Sequence, residues 1–307
     1  MEELIIIGSG CAGMSAAIYA ARAGMSPLVL EGTQPGGLIT TTSEVENFPA
    51  FPEAINGFDL VWKMREQAQK FGARVEAKTV ERAELRSSPK RLFCEGGEVL
   101  EARQVIVATG AKPRMTGAKN EMELYGGNGV SVCATCDGAF YRDRDVAVVG
   151  GGDSACEEAL FLTRFCSSVK LIHRRDAFRA SKIMADRVRE NPKIELVMDS
   201  VVTEVLAGED GKVRAVTVKN VKDGSTSQIA CAAMFVAIGH KPNTDPFKGE
   251  LEMDADGYLL PKAGSLVETA IAGVYVAGDC SDRNFRQAVT ASAMGCMAAI
   301  TASKFEG

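Results

Sequence analysis

Cys133 and Cys136 stand three positions apart in the run Cys133-Ala134-Thr135-Cys136-Asp137, a spacing at which two sulfurs close a small disulfide ring and reopen it by exchange. Asp137 directly follows, an acid able to carry the proton that accompanies two electrons into a disulfide, the more so where partial burial raises its proton affinity. A turn or a helix cap would also place an aspartate there. The chain has only two histidines, His173 and His240, so no histidine lies near the dithiol in sequence. The other seven cysteines (Cys11, Cys94, Cys156, Cys166, Cys231, Cys280 and Cys296) are unpatterned and expected as reduced core or loop residues. A zinc site would need two more ligands in a second cluster, so no metal is expected.

Electrons for such a dithiol must come from a carrier, and two glycine fingerprints offer places for one. In the first, an apolar strand over Leu4 to Ile7 runs into Gly8-Ser9-Gly10-Cys11-Ala12-Gly13, and an alanine-rich helix from Ala12 to Ala23 leaves it. Gly8 permits the tight turn, Gly10 the approach of backbone to a pyrophosphate, and Gly13 close helix packing. A strand over Pro27 to Leu30 then ends at Glu31, placed to hold a ribose 2′-hydroxyl. The second unit runs from a strand over Val146 to Val149 into Gly150, Gly152, Asp153, Ser154 and Ala155, with a helix through Phe165 and a strand over Val169 to Ile172. It ends in His173-Arg174-Arg175 where the first ends in a carboxylate. Those three basic groups, with Arg179 adding to them, suit a ribose 2′-phosphate. Two nucleotide folds and a dithiol imply electrons passing from a carrier, through a second cofactor, to sulfur.

The positioning elements repeat as well. Val105 to Gly110 and Phe235 to Gly239 are apolar strands that each close on glycine, which marks a diverged internal duplication. Proline-bearing connectors follow at Lys112-Pro113 and Lys241 to Pro246, natural crossings between domains. A third strand, Gly273 to Ala277, leads through Gly278-Asp279 into a small-residue helix from Arg286 to about Ser303. Having no fingerprint of its own, this tail is expected to complete the first domain. The domains expected are therefore 1–113 with 245–307, and 114–244. Phe58, Val61, Met64 or Arg65, Ala68 and Phe71 predict an amphipathic helix covering a sheet, with Trp62 as packing. Val201 to Leu206 and Val213 to Lys219 predict a hairpin.

With 307 residues and 46% hydrophobic content, two domains suit the length. A net charge of −5 without basic runs argues against nucleic acid. The only apolar run before Gly8 is too short for a signal-peptide core or a membrane span, so a cytoplasmic protein with no membrane partner is expected.

Over essentially its whole length the chain resembles the low-molecular-weight NADPH-dependent thioredoxin reductases. The matching segments are Cys133 to Asp137, Gly8 to Gly13, Gly36-Gly37 with Thr40 to Asn47, Gly150 to Ala155 with Glu157-Glu158-Ala159, His173 to Asp176, and Gly278-Asp279 with Arg286-Gln287-Ala288. The resemblance implies an α/β fold of two Rossmann-like, three-layer nucleotide-binding domains, the FAD domain discontinuous, in a homodimer whose domains rotate between two poses. It implies FAD along Gly8 to Gly13, Glu31, Gly32, Gly36, Gly37, Leu38, Asn47, and Gly278 through Ala288, with Asp279 meeting the ribitol chain. NADPH is implied at Gly150 to Ala155 and the basic turn. The resemblance further implies that Cys136 faces the flavin, that Cys133 attacks thioredoxin or a thioredoxin-like redoxin, and that Asp137 manages the proton. Many relatives carry Gln where this chain has Leu38, which removes a polar flavin contact or leaves it to another group. Two other readings remain: a flavin-dependent dithiol oxidase and a ferredoxin-linked thioredoxin reductase. Neither has a use for the basic turn.

Overall fold

The computed structural model describes residues 1–306. It divides into two compact units, Met1–Lys112 together with Lys241 onward, and Pro113–His240.

The first unit begins with β1 (Glu2–Ile7), α1 (Cys11–Arg22), β2 (Leu28–Leu30), α2 (Gly57–Lys70), β3 (Arg74–Glu76), β4 (Val80–Glu84), β5 (Lys90–Cys94), β6 (Val99–Val107) and β7 (Ala111–Pro113). The second holds β8 (Val130–Ser131), α3 (Ala134–Asp137), β9 (Asp145–Val149), α4 (Asp153–Leu162), β10 (Ser168–Ile172), α5 (Lys182–Glu190), β11 (Ile194–Val197), β12 (Ser200–Ala207), β13 (Val213–Asn220), β14 (Thr226–Ala230) and β15 (Ala233–Val236). The chain then returns through β16 (His240–Pro242), β17 (Val274–Val276) and α6 (Ala288–Ala302). β7 and β16 contain the two crossings and pair with each other.

In the first unit β3, β2, β1 and β6 form a parallel sheet in that order. β17 pairs with the second half of β6 and antiparallel β5 with its first half. The continuous apolar run of β1 follows from burial on both faces. Leu4 and Ile6 join Met14, Ile106 and Ala298 on the side of α1 and α6, while Ile5 and Ile7 join Leu30, Val105, Val107 and Phe247 on the other. α6 lies directly on α1, because a Cβ at Gly295 would fall 2.0 Å from the Ala12 carbonyl oxygen.

The second unit uses the same alternation. Its parallel sheet runs β11-β10-β9-β15-β8. Val146 and Val148 of β9 pack with Ala155, Leu162 and Phe235, while Ala147 and Val149 pack with Val202, Val216 and Met234. The antiparallel β12-β13-β14 sheet supplies much of that second face. β12 and β13 form the expected hairpin. Both units are Rossmann-like α/β folds.

One element differs from its sequence reading. α2 buries Leu60, Val61 and Ala68, but Phe58, Trp62 and Phe71 are 51%, 46% and 40% exposed. The spacing of Phe58 and Phe71 marks an apolar stripe, but the neighbouring α1 and sheet cover only part of it.

Candidate active site

Six of the seven unpaired cysteines are buried, and Cys133 and Cys136 are joined in a disulfide with Cα atoms 5.3 Å apart. The pair sits where β8 gives way to α3. Cys133 occupies the N-cap position, and its sulfur accepts the Cys136 N–H at 3.2 Å. Both cysteines are partly exposed.

The acid beside them is fixed by a residue that the sequence did not flag. Buried Ser131 donates from Oγ to Asp137 Oδ2 at 2.6 Å, and its Oγ accepts the Cys133 N–H at 3.1 Å. Burial raises the Asp137 pKa above the ordinary carboxylate value, and the Ser131 bond opposes that rise. Tyr141 is pushed up to about 12, by burial first and then by the charge of Asp137. The one sequence signal for Ser131 is a hydroxyl two residues before Cys133, at the end of a buried strand.

In the first unit Gly8, at φ +109°, closes the turn after β1 against the Ala108 carbonyl, with no room for a side chain. Gly13 packs on the Gly8 carbonyl in the same way. No side chain caps α1 and no acid lies in its first turn, so its N–H groups are available to an anion. Ser9 Oγ accepts the Gly36 N–H at 2.8 Å, which brings bare backbone at Gly36 and Gly37 against Gly10. Leu38 opens a short 3-10 turn, Leu38–Thr41. Glu31 accepts from Arg65 Nη1 at 2.7 Å. Asn47 donates to Gln287 Oε1 at 3.3 Å, and Gln287 caps α6. Cys11 and Ala12 are buried in the first turn of α1, and Gly278 presses on Ala12.

Asp279 supplies the test of fit for a large ligand here. Its Oδ1 is buried and has no hydrogen-bond partner among the described residues. Burial, reinforced by the charge of Asp282 and opposed by that of Arg286, pushes its pKa up to about 7. A buried carboxylate oxygen left unpaired is costly, so the position suits a ligand that brings hydroxyl donors. Bare glycine backbone, an open helix N-terminus and this orphan acceptor together fit the pyrophosphate and polyol of a flavin dinucleotide.

In the second unit the turn after β9 is equally tight. A Cβ at Gly150 would fall 2.5 Å from the Ala237 carbonyl oxygen, whereas Gly152 has open space. α4 also lacks a side-chain cap. Asp153 accepts the Ser181 N–H at 2.8 Å, and the Gly151 carbonyl accepts the Arg179 N–H at 2.7 Å. The glycine turn and the basic loop are thereby held together. Arg174, Arg175 and Arg179 are exposed.

His173 stands apart from these exposed arginines, because it is buried. The residue is 7% exposed, and its ring lies where a Cβ on Gly151 would fall 2.1 Å from Nδ1. Nε2 donates to the Ala177 carbonyl at 3.1 Å, and Phe178 stacks on the ring. Burial, helped by the charges of Arg175 and Arg174, lowers its pKa and favours the neutral form. The basic loop thus offers arginines on a histidine support.

Among the described residues no group of three or more His, Cys, Asp or Glu could hold a metal ion, and no helix is long and apolar enough to cross a membrane.

Residues 2–295 match the family model described as pyridine nucleotide-disulphide oxidoreductase. A thioredoxin reductase of Mycolicibacterium smegmatis is 48% identical across 99% of this chain and 96% of its own. A bifunctional thioredoxin reductase/thioredoxin of Mycobacterium leprae is also 48% identical, across 99% of this chain and 66% of its own length. The solved thioredoxin reductase of Giardia duodenalis superposes with a TM-score of 0.94 at 40% identity, covering 99% of this chain and 98% of that one.

Proposed function

Because the chain belongs to the pyridine nucleotide-disulphide oxidoreductases, and within them to the thioredoxin reductases, we propose that it spends NADPH through bound FAD to reduce the disulfide of a thioredoxin, with Cys133 and Cys136 as the redox pair. The observation that carries this reading is the Cys133–Cys136 disulfide standing beside a partly buried Asp137 whose pKa burial raises. The Mycobacterium leprae relative, whose name joins reductase and thioredoxin, supports thioredoxin as acceptor.

In this proposal the first unit holds FAD. Gly8, Ser9, Gly10, Cys11, Ala12 and Gly13 meet the pyrophosphate, and Glu31 and Gly32 the adenosine ribose. Gly36, Gly37, Leu38 and Asn47 line the flavin side, with Gly278, Asp279, Arg286, Gln287 and Ala288 on the ribitol. The second unit binds NADPH at Gly150, Gly152, Asp153, Ser154 and Ala155, with Arg174, Arg175 and Arg179 on the 2′-phosphate and His173 supporting their loop. FAD, when bound, supplies the two-electron chemistry that links hydride from NADPH to the disulfide.

The chain's own residues do the rest. Two electrons and one proton open the Cys133–Cys136 bond to a Cys133 thiolate and a Cys136 thiol. Asp137 carries that proton while Ser131 holds its carboxyl in place, and the proton passes to the released acceptor thiolate when Cys136 attacks. Cys133 as thiolate then attacks a sulfur of the acceptor disulfide and forms a mixed disulfide, releasing one acceptor thiolate. Cys136 attacks Cys133 Sγ, which restores the internal disulfide and frees the second acceptor thiol. A homodimer belongs to this proposal; in its support, Val289 and Ile300 are 41% and 42% exposed on α6, a helix without a charged residue.

The purified protein is expected to be yellow, to bleach with NADPH, and to reduce a chromogenic disulfide only when thioredoxin is added. A colourless preparation, or one that needs no thioredoxin, defeats the proposal.

A further inference from the structure

Arg65 has no part in the chemistry above, yet it is tied to the end of β2. Its Nη1 bonds Glu31 Oε1 at 2.7 Å, with the Glu31 side chain 8% exposed and that of Arg65 22%. The guanidinium lies over Trp62, 5.1 Å from the ring centroid. Trp62 in turn stacks on Phe58, their centroids 5.6 Å apart and their planes 14° from parallel. The sole tryptophan therefore acts as a half-exposed plate beneath a guanidinium rather than as core packing.

This arrangement restricts Glu31 more than an ordinary surface ion pair would. A planar cation backed by an aromatic face is already oriented, so little rotamer freedom remains to be lost when its partner is fixed. The pair is largely withdrawn from water, which limits screening. Only one carboxylate oxygen takes the Arg65 bond, which leaves Oε2 for a donor from a ligand.

We infer that Arg65 is a positioning residue for the adenosine end of the FAD site: with Trp62 and Phe58 behind it, it pins the Glu31 carboxylate by Oε1 so that Oε2 is ready for a ribose hydroxyl. The inference rests on the proposed reading of Glu31 as the ribose ligand. Its consequence is that dinucleotide affinity depends on a helix residue that need not touch the dinucleotide.

The test titrates the full-length chain, freed of flavin, with FAD and separately with FMN, which carries the flavin ring and one phosphate but no adenosine. Arg65→Gln is expected to weaken FAD about tenfold, a loss typical of one charge-assisted hydrogen bond, while FMN stays within about twofold and Arg65→Lys recovers part of the loss. In Glu31→Gln, adding Arg65→Gln is expected to change FAD affinity little further, since Arg65 acts through Glu31. Unchanged FAD affinity in Arg65→Gln overturns the inference, as does an equal loss for FAD and FMN or full additivity with Glu31→Gln. A wild-type chain that takes up neither flavin overturns the proposed function instead.

Discussion

Ser131 Oγ lies 2.6 Å from Asp137 Oδ2 and also receives the Cys133 N–H at 3.1 Å, so one buried hydroxyl joins the acid to the backbone of the first cysteine. A short O–H to carboxylate bond favours the charged form, while burial favours the neutral one. Burial dominates in Asp137, whose pKa stays raised.

The alkaline limb of the thioredoxin reaction should therefore report Asp137. Its neutral form persists above the ordinary carboxylate range, and the rate falls as pH rises through the raised value. Ser131→Ala removes the bond that favours the charged form, so the pKa climbs further and the limb shifts to higher pH. A pH–rate profile identical in both proteins would remove Asp137 from the proton path. Asp137→Asn should slow thioredoxin turnover by about a hundredfold or more while NADPH still bleaches the protein, as expected for loss of a general acid.

The two sulfurs should separate on a non-reducing gel. Cys136→Ser leaves Cys133 to attack the acceptor with no resolving thiol, so a stable mixed disulfide with thioredoxin accumulates. Cys133→Ser should trap far less and turn over at under about a thousandth of the wild-type rate, the scale of losing a nucleophile. Trapping by Cys133→Ser alone would exchange the assigned roles.

Nucleotide kinetics should distinguish the arginines from their support. Arg175→Ala is expected to raise KM for NADPH about ten- to a hundredfold, the scale of charge-assisted bonds to a phosphate, and to leave NADH nearly unchanged. His173→Ala loosens the loop held on Gly151, so it should weaken both nucleotides by similar factors. If His173→Ala penalised NADPH alone, the histidine would be a phosphate contact after all.

Asp279 should make the stability of the chain depend on pH. Burial pushes its pKa up to about 7 from 3.8. A raised carboxyl contributes its full stability below pH 3.8 and loses it progressively as pH rises towards 7, where the folded form also ionises. Asp279→Asn should therefore be more stable than wild type in flavin-free urea unfolding at pH 8, by at most on the order of 4 kcal/mol, with the difference vanishing near pH 4. The same variant should bind FAD more weakly. Equal flavin-free stability at both pH values would contradict the burial argument.

The strand-turn-helix units were readable because each rests on a local rule: β-branched runs buried on both faces, then glycines where carbonyls leave no room for Cβ. Side chains whose roles depend on distant contacts were not. His173 reads as basic until Gly151, from another loop, is seen beneath its ring. Arg65 falls on an apolar stripe by spacing, but its partner is Glu31, thirty-four residues earlier. Phe58 and Trp62 show the limit of periodicity, which marks a stripe without saying how much of it a neighbour covers. Ser131 carries no sequence signal beyond a hydroxyl two residues before Cys133, because its bond to Asp137 depends on how β8 meets α3.

The carbonyl of Ala12 and the bare α-carbon of Gly295 meet with no space for a methyl group. During translation the opening helix therefore has to wait for Gly295 to leave the ribosome before its neighbour exists, whereas Pro113–His240 is by then complete. A nascent chain paused before Gly295 would carry a finished middle and an uncovered opening helix, a surface for chaperones to hold and for proteases to find.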